Sequence, residues 1–266
     1  MKKVILLMII GLTTTTAFGQ KKETRSVSDF TGINASSVFD ITVTKGNTES
    51  LTIEADDDAM PYVRSEVRNG ILRLYLDNSN RELRNIKILK ASVVMKNLEN
   101  VTLSGVCKFT ANDLFTPNRF KADCSGVSNL AVNLNTGEMR IEASGASKIR
   151  IIANITGNAS LGISGVSKIQ SELKASDVKL NSSGASSIEL TGSAANFKID
   201  VSGSSKINAE DFTVKNAVVE SSGTSKITVN VTDALKISSS GTSSINYKGS
   251  PVTDINSSRA VKVRKM

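Results

Sequence analysis

One short pattern recurs along this chain and limits what it can fold into. The motif Ser-Gly-x-Ser-x-apolar starts at Ser125, Ser144, Ser164, Ser183, Ser202, Ser222 and Ser240, and a first copy at Ser104 carries Cys107 in place of the second serine. Its glycines are Gly105, Gly126, Gly145, Gly165, Gly184, Gly203, Gly223 and Gly241, spaced by 18 to 21 residues. A repeat this regular is one structural unit copied and stacked.

Aligned on the glycine, the copies become columns. Four residues before it stand Val101, Ala122, Ile141, Leu161, Leu180, Ile199, Val219 and Ile237; four after it stand Phe109, Leu130, Ile149, Ile169, Ile188, Ile207, Ile227 and Ile245. Odd offsets are polar: Lys121, Arg140, Lys179, Lys198 and Lys236 five before, then Asp123, Glu142, Asp200 and Glu220 three before. This period-2 alternation marks strands with one buried face. Leucine-rich repeats share the period, but their leucine framework and helical or irregular return arm are missing. The pattern predicts an all-β fold, a right-handed parallel β-helix of about eight 19–20-residue coils, each of about three short strands. Stacked at about 4.8 Å, eight coils give a rod of roughly 38 Å. A glycine kept at every corner points to positive φ or close backbone approach. The flanking serines can form hydroxyl ladders between coils.

The rest of the chain reads as ends. Lys2 and Lys3, an apolar run from Val4 to Leu12 and the Ala17-Phe18-Gly19 stretch predict a cleaved secretory signal over residues 1–19. No transmembrane span is expected in the mature chain, and export places it in the periplasm or at the cell surface. Residues 29–247 form one domain, with 29–100 an irregular N-terminal β cap continuous with the coils and 101–247 the repeat. In the cap, Asp56-Asp57-Asp58 predicts an Asp-capped short helix or turn, and Asn69-Gly70 a tight turn. Residues 248–266 are a C-terminal cap or basic tail.

Composition excludes several chemistries. Without His, neither a Ser-His-Asp nor a Cys-His centre, nor histidine-ligated zinc, can form. Without Trp, and with no interleaving of basic and aromatic residues, nucleic-acid binding is not expected. The formal charge of +8 falls to +6 once the two signal lysines are removed (31 basic minus 25 acidic residues).

Phe30-Thr31-Gly32-Ile33-Asn34, the strand at Val38 to Val43, the Asn69-Gly70-Ile71-Leu72 turn and the Ser-Gly-x-Ser ladder together resemble the family of putative auto-transporter adhesins, head GIN domain. The resemblance spans roughly Asp29 to Tyr247. It implies an exported β-helix protein, of a kind typical of Bacteroidota, with an adhesin role, no cofactor and no catalytic residues to carry over.

Candidate sites lie in the outward columns. Asp123 over Glu142, and Asp200 over Glu220, stack carboxylates in adjacent coils at a spacing that suits glycoside hydrolysis. The lysines and arginine two residues earlier favour a salt-bridged surface instead. Lys108, Lys148, Lys168, Lys206 and Lys226, three after the glycine, form a basic stripe able to meet anionic glycans or envelope proteins. The plainer reading is an outer strand face that discourages lateral pairing. The Asp56–Asp58 run lacks the alternating ligands and glycine of a Ca²⁺ loop, so no metal is expected. Cys107 and Cys124 are expected as buried free thiols. The favoured function is a non-catalytic envelope or surface adhesin or scaffold with glycan or protein partners. The alternatives are a polysaccharide-active enzyme using the stacked carboxylates and a self-assembling structural protein, in which the chain forms homo-oligomers.

Overall fold

The computed structural model describes residues 20–77 and 86–266. The expected signal segment, 1–19, lies outside them. The fold is a parallel β-solenoid of about nine turns. Among the described residues the helical part is one 3-10 turn, Met60–Tyr62.

The N-terminal strands are β1 (Gln20–Arg25), β2 (Gly32–Ala35), β3 (Asp40–Lys45), β4 (Ser50–Asp56), β5 (Val63–Arg68), β6 (Ile71–Leu76) and β7 (Leu89–Met95). β2 and β3 are the first coil. On one side they pair in parallel with β6 and β7; on the other they pair with β8 (Asn100–Leu103) and β9 (Lys108–Phe115), which begin the repeat. β4 and β1 then add antiparallel strands outside β7, and β5 closes an antiparallel hairpin on β6. Asn69 and Gly70, at φ of 52° and 72°, make that hairpin turn. The expected Asp cap is not formed: the 3-10 turn has Ala59 at its N-cap with no side-chain hydrogen bond. Asp56 instead accepts hydrogen bonds from the backbone N–H groups of Lys87 and Ile88 at 2.7 and 3.2 Å, fixing the start of β7.

The repeat continues through β10 (Arg119–Cys124), β11 (Asn129–Thr136), β12 (Glu138–Ala143), β13 (Lys148–Ile155) and β14 (Asn158–Gly165). Each early coil thus holds two strands, one before the glycine corner and a longer one after it, rather than three. From β15 (Lys168–Gly184) through β16 (Ser187–Gly203), β17 (Lys206–Gly223) and β18 (Lys226–Gly241) the chain stays extended from one corner to the next. β19 (Ser244–Lys248), β20 (Val252–Ser257) and β21 (Lys262–Lys265) carry the ladder into the tail.

Both apolar columns are fully inside: from Val101 to Ile237, and from Phe109 to Ile245, no member exceeds 2% exposure. Each buried Ile or Leu contributes about 1.5–3 kcal/mol of transfer free energy, and its packing neighbours lie mostly one coil away. Phe197 and Phe212 add an edge-to-face contact at 5.4 Å between ring centroids.

The corner glycines are required twice over. All eight have positive φ, from 73° at Gly126 to 151° at Gly203. Each also stacks on the corner below, so that a Cβ on Gly145 would stand 2.5 Å from the Gly126 carbonyl oxygen. The N–H that follows each glycine donates to that carbonyl, as from Ala146 to Gly126 at 2.8 Å. Ser37, at φ 83°, is the corner of the first coil beneath Gly105, and its carbonyl accepts from Val106.

Candidate functional site

The corner divides the surface of the rod into two outward faces. Before it lies a groove of about 510 Å³. Its floor is the column three residues before the glycine: Thr102, Asp123, Glu142, Gly162, Asn181 and Asp200. One wall is the first serine of each motif, Ser125 through Ser202. A second depression of about 600 Å³, sharing Asp200, carries the groove on through Glu220 toward Asn256. Gly162 belongs to this floor for a steric reason. The Glu142 carboxylate leans into the space where a Cβ on Gly162 would sit.

The stacked carboxylates lie where the sequence puts them, with Asp123 in register with Glu142 and Asp200 with Glu220. Cations neutralise most of them: Lys121 meets Asp123 at 2.8 Å, Arg140 meets Glu142 at 2.9 Å and Lys198 meets Glu220 at 3.3 Å. Asp200 has no ion-pair partner among the described residues. Across β15, β16 and β17 a short side-chain ladder runs on the same strands, with Asn196 donating to Asp177 at 2.7 Å and Asn216 to Asn196 at 2.9 Å.

Beyond the corner the basic column stands on the other face. Lys148 is in register with Lys168, and Lys206 with Lys226. Asn129, Ser187 and Ser244 interrupt the column, and Lys262 extends it by one coil. Lys148, Lys168, Lys206 and Lys226 are exposed, and none takes part in an ion pair or side-chain hydrogen bond among the described residues. Lys108 stands apart, because Asp40 of the first coil binds it at 3.0 Å. Glu189, on the same face, accepts from Gln170 at 3.0 Å.

The second serine of each motif is buried and does structural work. In early coils its hydroxyl donates to the carbonyl three residues back, Ser128 to Ser125 at 2.7 Å and Ser147 to Ser144 at 3.0 Å. In later coils it donates to the glycine carbonyl of the coil below, Ser225 to Gly203 at 3.0 Å and Ser243 to Gly223 at 3.2 Å. Cys107 occupies this buried column, and Cys124 faces the core two residues before its own glycine; both thiols are free. Burial pushes the Cys107 thiol up. Burial, with the neighbouring Asp123 charge, pushes the Cys124 thiol up to about 12. Neither is a poised nucleophile. Among the described residues no group of His, Cys, Asp or Glu is arranged to hold a metal ion, and no helix is long and apolar enough to cross a membrane.

Several solved structures share this fold. A putative adhesin from Parabacteroides distasonis superposes with a TM-score of 0.71 at 19% identity, covering 93% of this chain and 97% of that one. One from Parabacteroides merdae gives 0.66 at 18% identity, covering 94% and 97%. A protein described as a putative lipid binding protein, also from P. distasonis, gives 0.65 at 18%, covering 94% and 98%. At such identities the likeness establishes the fold. A search of curated proteins finds no match. The family model for the putative auto-transporter adhesin, head GIN domain, matches residues 29–169 and 152–251, from the first coil through β19, and the chain belongs to that family.

Proposed function

We propose that the protein is a non-catalytic, exported adhesin or scaffold of the cell envelope, using the faces of its rod to hold glycan or protein partners. The observation that carries this reading is the register of the ladder. Outward side chains stand in straight columns, one per coil at about 4.8 Å, with lysine recurring in pairs along one of them, which suits an extended partner contacted at many weak points. Family membership supports the adhesive role, and the signal-like residues 1–19 support export.

The groove favours one other reading, a polysaccharide-active enzyme, because it brings Asp123, Glu142 and Asp200 to one surface. The ion pairs weigh against it. Lys121 and Arg140 already engage the Asp123 and Glu142 carboxylates at 2.8 and 2.9 Å, so a substrate would have to displace a cation to reach either one.

Residues 20–266 applied to a glycan array and used to capture envelope components test the proposal. Saturable binding without release of reducing or unsaturated sugar is the expected result. Turnover of any bound glycan, lost in Asp123→Asn with Glu142→Gln, would transfer the protein to the enzymatic class.

A further inference from the structure

We propose that the lysine ladder after the corner is the binding surface for an extended anionic polysaccharide, one carrying carboxylate or sulfate groups along a linear chain. The inference rests on the adhesin reading and names the ligand class and the face that binds it.

The electrostatics of the two faces point to it. Before the corner, Lys121, Arg140 and Lys198 are paired with carboxylates two residues away or one coil away. Lys179, unpaired among the described residues, is offset by the likewise unpaired Asp200 one coil on, so the surface is close to neutral. After the corner, Lys148 over Lys168 and Lys206 over Lys226 are like charges directly opposite on adjacent strands. That arrangement destabilises a sheet, and the fold does not require it. Asn129, Ser187 and Ser244 occupy the same column in other coils without disturbing the register. Protection of a sheet edge does not account for the lysines either. These strands are paired on both sides, whereas edge protection concerns strands with a free side.

The shape narrows the ligand. From Asn129 the column reads Asn, Lys, Lys, Ser, Lys, Lys, Ser, Lys, ending at Lys262. Its charge therefore repeats every three coils, about 14 Å, along a straight line. The line is about one lysine wide: in the next column Arg150 and Arg264 are basic, and Gln170, Glu189, Asn208, Thr228 and Asn246 are not. A single extended polyanion can follow such a line, whereas a membrane surface calls for a broader basic patch. A single-stranded nucleic acid would call for exposed rings to stack on; every described phenylalanine is buried at 2% exposure or less, and the half-buried Tyr62, Tyr75 and Tyr247 stand outside the lysine column.

The test is binding of residues 20–266 to polygalacturonate and dextran sulfate, with dextran, duplex DNA and vesicles containing anionic lipid as competing probes, across a salt series. Lys148→Glu with Lys168→Glu, or Lys206→Glu with Lys226→Glu, should weaken polyanion binding by about tenfold or more and flatten its salt dependence. Ser187→Lys, which joins the two pairs into five consecutive lysines, should tighten it and steepen that dependence. Lys179→Glu with Lys236→Glu makes the same change in net charge on the groove face and should have little effect. Equal loss from the groove-face pair would overturn the ladder, and so would DNA or vesicles binding as tightly as the polysaccharides. If polyanions do not bind but the unaltered chain still captures envelope components, this inference fails while the adhesin reading stands. If nothing is captured at all, both fail.

Discussion

The two faces that meet at the glycine corner are built from the same alternating strands, yet they handle charge in opposite ways. Before the corner, a cation and a carboxylate sit two residues apart on one strand, Lys121 with Asp123 and Arg140 with Glu142, and close on each other. After it, Lys148, Lys168, Lys206 and Lys226 each have another lysine on one side along the rod and a neutral Asn or Ser on the other, with no carboxylate in ion-pair reach among the described residues. In a solenoid the neighbour of a side chain along the rod is its own counterpart about twenty residues on. A column of one sign therefore becomes a charged line, and two adjacent columns of opposite sign become a neutral seam. The chain uses the neutral seam to line a groove and leaves the charged line open to solvent.

Because the corner joins the faces, breaking it should have the largest effect. In Gly145→Ala the new Cβ meets the Gly126 carbonyl oxygen at 2.5 Å while φ stays near +74°. The left-handed conformation and the forced displacement of backbone together should cost about 3 kcal/mol or more. Urea unfolding would measure this, and polyanion binding should fall with it as the lysine register is lost. Ala146→Ser, one residue along, is the control, since Ser204 stands at that position in a later coil. A Gly145→Ala rod as stable as the parent would mean that the corner carbonyls do not set the stacking.

A second effect distinguishes the core on the two sides of the corner by pH. Cys124 lies under the groove face, buried and beside Asp123, and its thiol is pushed from its ordinary value of 9.0 up to about 12. The unfolded thiol ionises near 9 while the folded one keeps its proton, so between these values the native state binds more protons. Stability is then fully present below pH 9 and falls as pH rises toward 12, by up to about 1.4 kcal/mol per unit. Cys107, raised in the same direction, adds to the slope. Denaturation midpoints from pH 8 to 11 should show a steeper alkaline decline in the parent than in Cys124→Ala, which Ala143 in the same column shows to be tolerated. Identical profiles would mean that Cys124 is reached by water in the native state.

Much of this was legible in the residues because a repeat turns sequence offset into spatial direction. The buried columns, the corner glycines and the stacked carboxylates all follow from alignment on one glycine. Features that depend on a partner outside the repeat did not follow. Asp40 neutralises Lys108 from 68 residues away, and no periodicity links them. Ser37 serves as a corner without the motif that marks the others. Asp56, which reads locally as a helix cap, binds backbone across the return to β7. The serine hydroxyls also change acceptor between Ser167, which donates to Ser164, and Ser186, which donates to Gly165, though the motif is the same in both coils. The columns that line the groove could be named from sequence, but that they enclose a depression of about 510 Å³ could not.

The smallest effect is the sharpest test of the contrast, because the two faces should give opposite signs for one kind of change. Arg140→Gln removes a cation that Glu142 holds at 2.9 Å, with both side chains about half exposed. Pairs of this kind are worth about 0.2–1 kcal/mol, so stability should fall by a few tenths of a kcal/mol at low salt. Lys168→Gln removes a cation whose rod neighbour is Lys148 and which has no carboxylate partner among the described residues. Stability should rise by a similar amount, as repulsion across the strand pair is relieved. Raising the salt to 1 M, where the screening length is about 3 Å, should shrink both differences toward zero. Two substitutions that both destabilise, or that keep their size in high salt, would show that packing of the aliphatic stems outweighs charge on these faces. The neutral seam and the charged line would then differ in appearance but not in energy.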